Sequence, residues 1–219
     1  IEAWHANPAL VLEFYNVPER KVDVVYQPVS SIYYSPMEPM DTDPYMLYVG
    51  SINSRKNLLG VVKAMELMPK DLQIPLIIVG GGGSYKQQVK QYIAEHGMEE
   101  LFLWPEMVSN AELKKLYTNA QLFVYPSFYE GFGLPVVEAQ LCGCPVVTSN
   151  VSSLPEAGGP YALQANPDSA EDICNKMIKM LTDSELRRNA IEGGREYAMQ
   201  TFHPSVLARQ LMEVYRKTL

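Results

Sequence analysis

Short apolar runs alternate along this chain with longer stretches in which apolar residues recur every three to four positions. From residue 45 onward, "YMLYVG" (45–50), "IPLIIVG" (74–80), "LFLW" (101–104), "AQLFVYP" (120–126), "PVVTS" (145–149) and "YALQ" (161–164) read as strands. Helical patterns separate them. Asn57 stands as a cap before Leu58, Leu59, Val62 and Met65. Ser84 with Gln87 and Ser109 with Glu112 have capping-box spacing. The first pair precedes Val89, Tyr92 and Ile93, and the second precedes Leu113, Leu116 and Tyr117. A helix over 135–142 follows the fourth strand, with Pro135 suited to its first position. Helices over 169–181, 184–197 and 204–217 close the chain. Upstream, Asn7 and Pro8 predict a helix start, and 21–29 a strand ended by Pro28. Residues 30–44 hold three prolines and three acids and read as a connector.

Buried strands alternating with amphipathic helices specify βαβ units. The fold class is therefore α/β, a doubly wound parallel sheet with helices on both faces. Such sheets bind ligands outside the carboxyl ends of their strands, so the strand-to-helix turns are the places to search.

Composition narrows the choice. Among 219 residues, 47% are hydrophobic, enough for a sizeable core. A net charge of -7 argues against a general nucleic-acid binder but permits a small anion held by local cations. No apolar run has the length of a membrane-spanning helix. Three cysteines do not make a disulfide framework, and a reducing cytoplasm is the default. Cys142 and Cys144, on either side of Gly143, read as small buried residues rather than a metal site. His5, His96 and His203 are scattered without metal-ligand spacing, so no metal site is assigned. The opening "IEAWHANPALVLEFYNV" lacks an initiator Met and reads as the middle of a longer protein.

Three turns stand out. In "GSINSRKN" (50–57), Arg55 and Lys56 directly precede a helix N-terminus, where the helix dipole disfavours cations. They are either solvated surface cations or, with free helix N–H groups, a phosphate site. "VGGGGSYK" (79–86) has four glycines, for a sharp turn or close approach to a ligand, but lacks the dinucleotide fingerprint. In "EGFGLPVVEA" (130–139), Gly131 and Gly133 let N–H groups converge ahead of a helix, and Glu138 is placed in its first turn. Glu138 serves either the helix dipole or a pair of ligand hydroxyls. Glu130 reads, on local grounds, as a solvated acid.

These residues carry a family resemblance. "EGFGLPVVEA" resembles the E-x7-E motif of retaining glycosyltransferases of the GT-B fold, family 4. "YVGSINSRKNL" resembles that family's phosphate-binding turn, "LIIVGGGG" its next strand and glycine turn, and "WPEMVSNAELKKLYTNAQLFVYPS" the segment around the nucleobase. The likeness runs from about residue 45 to 200. It implies that Lys56 and Arg55 hold a donor diphosphate, Glu138 the ribose hydroxyls, and Glu130 the donor sugar. Gly131, Phe132, Gly133 and Leu134 meet sugar and phosphates through their backbone. Met107 and Val108 lie against the base, while Gly50, Ser51, Gly81 and Gly82 line the cleft. Two positions depart from the pattern. Ser51 stands where an arginine is frequent, and His203-Pro204 where a tryptophan is frequent.

The resemblance further implies a division into 1–44, the tail of a preceding acceptor domain with its connector; 45–202, the donor-binding Rossmann-like half; and 203–219, a C-terminal helix. The implied reaction moves a hexosyl unit from a UDP-, GDP- or ADP-linked sugar to a hydroxyl acceptor, with no cofactor or metal required. The place is the cytoplasm or the inner face of a membrane, reached through the missing half. A fragment of this extent binds the nucleotide sugar but transfers nothing alone. A non-catalytic nucleotide-sugar-binding module is the alternative. An NAD-dependent dehydrogenase is disfavoured by the broken glycine fingerprint.

Overall fold

Alternate residues of one strand feed two different cores. In β1 (Met46–Val49), Met46 and Tyr48 pack into one apolar cluster, and Leu47 and Val49 into another. A strand buried on both faces reads as a continuous apolar run, which is why "YMLYVG" carries no polar alternation.

The computed structural model describes residues 18–19 and 22–218. The expected helix start at Asn7–Pro8, and His5, lie outside the described residues. The other strands are β2 (Leu76–Val79), β3 (Phe102–Leu103), β4 (Leu122–Tyr125), β5 (Val146–Ser149) and β6 (Leu163–Ala165). The helices are α1 (Leu58–Leu67), α2 (Ser84–Glu95), α3 (Asn110–Asn119), α4 (Leu134–Leu141), α5 (Leu154–Gly158), α6 (Ala170–Thr182), α7 (Ser184–Phe202) and α8 (Pro204–Thr218). All strand pairs are parallel, in the order β3-β2-β1-β4-β5-β6. Met46 pairs with Leu76 on one side and Leu122 on the other. Helices α1, α2 and α6 cover one face through residues such as Leu58, Val89 and Met177. Helices α3, α4, α5 and α7 cover the opposite face through Tyr117, Val137, Leu154 and Phe202. The doubly wound, Rossmann-like α/β architecture is as expected. Among the described residues no helix is long and apolar enough to cross a membrane.

Several local expectations change. Residues 22–29 form no strand; Tyr26 instead packs its ring on Phe132 at 5.1 Å and on Phe202 at 5.2 Å. Ser84 does not cap α2: Gly83 holds the cap position, without a side-chain bond, and Ser84 is already helical. Ser109 and Glu112 do form the predicted capping box on α3. Asn57 precedes α1 but caps nothing with its side chain. Its amide donates to the carbonyls of Pro126 at 3.1 Å and Pro167 at 2.8 Å, so it staples the start of α1 to two other chain segments. Helix α4 begins at Leu134, which puts Pro135 at its second position and Glu138 beyond its first turn. Helix α7 runs on to Phe202, where Pro204 opens the next helix. The connector is anchored: Ser31–Tyr34 form a 3-10 turn whose Tyr33 is buried against Tyr117, and Lys114 donates to the carbonyl of Ser35 at 2.8 Å.

The glycine run has a structural reason at two of its four positions. Beyond the ends of β1 and β2 the two chains stay paired, through Gly50 N–H to the Val79 carbonyl at 2.9 Å and Ile52 N–H to the Gly81 carbonyl at 2.7 Å. A Cβ on Gly80 would lie 1.9 Å from the Gly50 oxygen, and one on Gly82 would lie 2.6 Å from the Ile52 oxygen, while one on Gly81 would meet nothing. Gly80→Ala is therefore expected to cost about 3 kcal/mol or more, because backbone must give way, and Gly81→Ala less than about 0.5 kcal/mol. Urea unfolding of both variants checks the contrast; equal costs contradict it.

Candidate functional site

The sheet order reverses between β1 and β4. The helices that follow these neighbouring strands, α1 and α4, leave toward opposite faces, and a crevice opens where they part. Three of the singled-out residues meet there.

Arg55 and Lys56 lie in a 3-10 turn, Ser54–Lys56, that leads into α1. Asn53 closes this turn by accepting from the Lys56 N–H at 3.2 Å. Glu130, on the chain between β4 and α4, reaches both cations: Arg55 Nη1 to Glu130 Oε2 is 3.0 Å, and Lys56 Nζ to Glu130 Oε1 is 3.0 Å. Lys56 and Glu130 are 8% and 7% exposed, so neither is the solvated charge that its position in sequence allowed. Tyr125, at the end of β4, completes the group. Its hydroxyl accepts from Lys56 Nζ and donates to Glu130 Oε1 at 3.0 Å, and Lys56 Nζ stands 4.8 Å from its ring centre. The absent side chain of Gly50 leaves the path for Lys56, since a Cβ there would lie 3.2 Å from Lys56 Cδ. Arg55 donates to the Tyr129 carbonyl, and its own carbonyl accepts from Phe128 N–H at 2.9 Å.

The backbone after Glu130 is braced by two serines. Ser152 Oγ donates to the Glu130 carbonyl at 2.8 Å and accepts from its N–H at 3.2 Å. Ser153 Oγ donates to the carbonyls of Glu130 at 3.1 Å and Phe132 at 2.8 Å. Gly133 caps α4 at φ 108°, and a Cβ there would strike Leu154 Cδ2 at 2.7 Å. The Phe132 ring is buried with Tyr26 and Phe202. What remains is a pocket of about 280 Å³ bounded by Lys56, Tyr125, Glu130, the Gly131–Pro135 turn and Gln27.

Other predicted site residues lie elsewhere. Glu138 does not line this pocket; its Oε2 accepts from the Tyr117 hydroxyl at 3.1 Å. Met107 and Val108 border a separate pocket of about 390 Å³ with Ser109 and Glu112, and the Met107 side chain is 92% exposed. Ser51 is exposed, its hydroxyl accepting from Asn53 Nδ2 at 3.1 Å. Gly81 and Gly82 lie in the paired loops beyond β1 and β2. His96 stacks on Tyr92 and His203 packs against Tyr34, away from the cluster. Cys144 is buried and Cys142 half-buried, both as free thiols, and burial pushes the Cys142 thiol up to about 12. Tyr125, Gln27 and the two bracing serines escaped the sequence reading. A tyrosine closing an apolar strand has no local mark that separates it from ordinary core.

The two acids differ in electrostatics. Burial works to raise the pKa of Glu130, but hydrogen bonds from Lys56 and Arg55 and the Lys56 charge outweigh it, and the net shift is downward. Glu138 is raised by burial, which its bond from Tyr117 only partly opposes. A lowered folded-state pKa means that Glu130 contributes stability above its unfolded value, ordinarily about 4.3. That contribution is lost as the pH falls through the folded value. The stability gap between the native protein and Glu130→Gln should therefore close as the pH drops below about 4. Urea unfolding across pH 3–7 reads it, and a gap that widens on acidification is the contrary result.

The family model for "Glycosyl transferases group 1" matches residues 36–197. The O-antigen chain mannosyltransferase B of Escherichia coli is 35% identical over 204 residues, covering 87% of this chain and 53% of that protein. The O-antigen chain mannosyltransferase RfbU of Salmonella typhimurium is 30% identical over 181 residues, covering 82% of this chain and 50% of that protein. The chain thus spans about half the length of these curated relatives. Anabaena HepE, crystallised with UDP and glucose, superposes with a TM-score of 0.85 over 97% of this chain and 62% of its own, at 18% identity, a likeness of fold. The matched segment contains the whole sheet together with Arg55, Lys56, Tyr125 and Glu130, and the chain belongs to the group 1 glycosyltransferase family.

Proposed function

We propose that this chain is the donor-binding half of a retaining, family 4 glycosyltransferase of the GT-B type, which moves a hexosyl unit from a nucleoside-diphosphate sugar to a hydroxyl acceptor. The convergence of Arg55 and Lys56 on Glu130, beside the glycine turn at the carboxyl ends of β1 and β4, carries the reading. The mannosyltransferases among its relatives favour a mannosyl unit. In this reading, residues 1–44 end an acceptor domain, 45–202 hold the donor, and 203–219 form the closing helix. The protein works in the cytoplasm or at the inner face of a membrane, in polysaccharide synthesis.

The chemistry follows from charge. Breaking the glycosidic bond places negative charge on the departing diphosphate. Cations and N–H groups aimed at that charge stabilise the transition state more than the ground state. Lys56 and Arg55 supply the cations, so the chain's own residues do what a metal would otherwise do. Gly131, Phe132, Gly133 and Leu134 present their backbone to sugar and phosphate. Outside the pocket around Glu130, the reading gives Gly50, Ser51, Gly81 and Gly82 to the cleft lining, Met107 and Val108 to the base, and Glu138 to the ribose hydroxyls. Attack from the face of the departing phosphate retains configuration without an enzyme nucleophile, and Glu130 is not assigned that role.

Lys56→Ala is expected to weaken nucleoside-diphosphate binding roughly ten- to a hundredfold, the worth of one charge-assisted bond. An unchanged affinity by calorimetry removes Lys56 from the site. Glu138 accepts hydroxyls best when ionised, and its raised pKa brings protonation on early. Affinity for a ribose-bearing nucleotide should accordingly fall on acidification at a pH above the ordinary carboxylate value of about 4.3, and Glu138→Gln should abolish that fall. The same pH profile with pyrophosphate in place of nucleotide would assign the effect elsewhere.

A further inference from the structure

Glu130 occupies both cations that the proposed function reserves for phosphate. Its two carboxylate oxygens divide between them, Oε2 on Arg55 and Oε1 on Lys56, each at 3.0 Å. This is how two oxygens of a diphosphate would be received, since a carboxylate and a phosphate offer the same fork of acceptors. Lys56 has three N–H donors; Tyr125 and Glu130 use two. An incoming diphosphate therefore finds both cations already paired with one carboxylate, and with Glu130 in place it meets a like charge within about 4 Å.

The surroundings let the carboxylate move without the chain moving. The backbone of Glu130 is pinned on both sides of its peptide by Ser152 and Ser153. The side chain is held by other side chains, Arg55, Lys56 and Tyr125, with the Ser127 hydroxyl also acting on it. Glu130 and the exposed Gly131 both border the pocket of about 280 Å³, which gives the carboxylate space to turn into. Glu138 cannot play this part, because it sits on Tyr117 outside the pocket.

We propose that Glu130 is an exchangeable counter-ion: its carboxylate holds the places on Arg55 and Lys56 that the donor's diphosphate takes, and binding rotates it off the cations toward the sugar. The exchange keeps the buried Lys56 and the more exposed Arg55 paired at every stage, and a buried cation left without a partner is costly. It also couples the two ends of the donor, since diphosphate arrival sends an acid to the sugar and diphosphate departure calls it back. The idea rests on the donor-site reading above.

Calorimetric titration with inorganic pyrophosphate tests it on the native chain, Glu130→Gln and Lys56→Ala. Exchange predicts that Glu130→Gln binds about tenfold more tightly, because no carboxylate has to be displaced, while Lys56→Ala binds about tenfold more weakly. Unchanged or weaker binding by Glu130→Gln, with Lys56→Ala still weakened, overturns the exchange and leaves the donor site standing. Binding that ignores Lys56→Ala, or that is absent in the native chain, overturns the donor site and the exchange together. If Glu130→Gln fails to fold, a crystal structure of the native chain with pyrophosphate decides the matter. The carboxylate should then lie out of hydrogen-bond reach of Lys56 Nζ, and finding it still at 3.0 Å overturns the proposal.

Discussion

Parallel strands impose one constraint from which most of this structure follows. Each pair needs a crossover, and because all strands run the same way every strand-to-helix turn falls at the same end of the sheet. Helices must then cover both faces, because strands such as β1 are apolar on both. At the β1–β4 boundary the winding reverses, and α1 and α4 leave toward opposite faces. Residues 75 positions apart, Arg55 and Glu130, meet there because the sheet order makes β1 and β4 neighbours.

The cations at that gap sit where local electrostatics disfavours them, ahead of a helix N-terminus. Glu130 supplies the compensation from the far side of the crevice, and its lowered pKa shows that the pairing outweighs the cost of burial. A site arranged in this way is charged, with Lys56 and Glu130 buried and Arg55 at its exposed rim. Its polar groups answer to one another, so a change at any of Lys56, Tyr125 or Glu130 is felt by the other two.

The segment ahead of the sheet is part of the same construction. Tyr26 packs on Phe132, whose backbone borders the pocket, and its hydroxyl donates to Glu156, while Gln27 lines the pocket directly. Tyr33 and Lys114 tie the connector to α3. The chain entering the domain thus touches the turn that follows Glu130, and its placement bears on the shape of the pocket.

Local pattern determined the elements. Apolar runs of strand length, the Ser109–Glu112 box and the glycines at 131 and 133 sufficed for a doubly wound α/β fold with its chemistry at the turns, because burial and capping are short-range demands. Where a residue had two possible uses, the local reading failed. Asn57 reads as a cap but spends its amide on Pro126 and Pro167, and Ser84 stands one place inside the helix that Gly83 opens. Residues 22–29 have the composition of a strand, yet they pack as a tether, because side-chain burial against Phe132 and Phe202 does not require a ladder. The sequence by itself thus determined which turns carry charge and glycine. Only the tertiary structure decided that Glu130 is buried between Arg55 and Lys56 with Tyr125 joining them, because the pairing of charges across a sheet depends on strand order, which no stretch of sequence encodes alone.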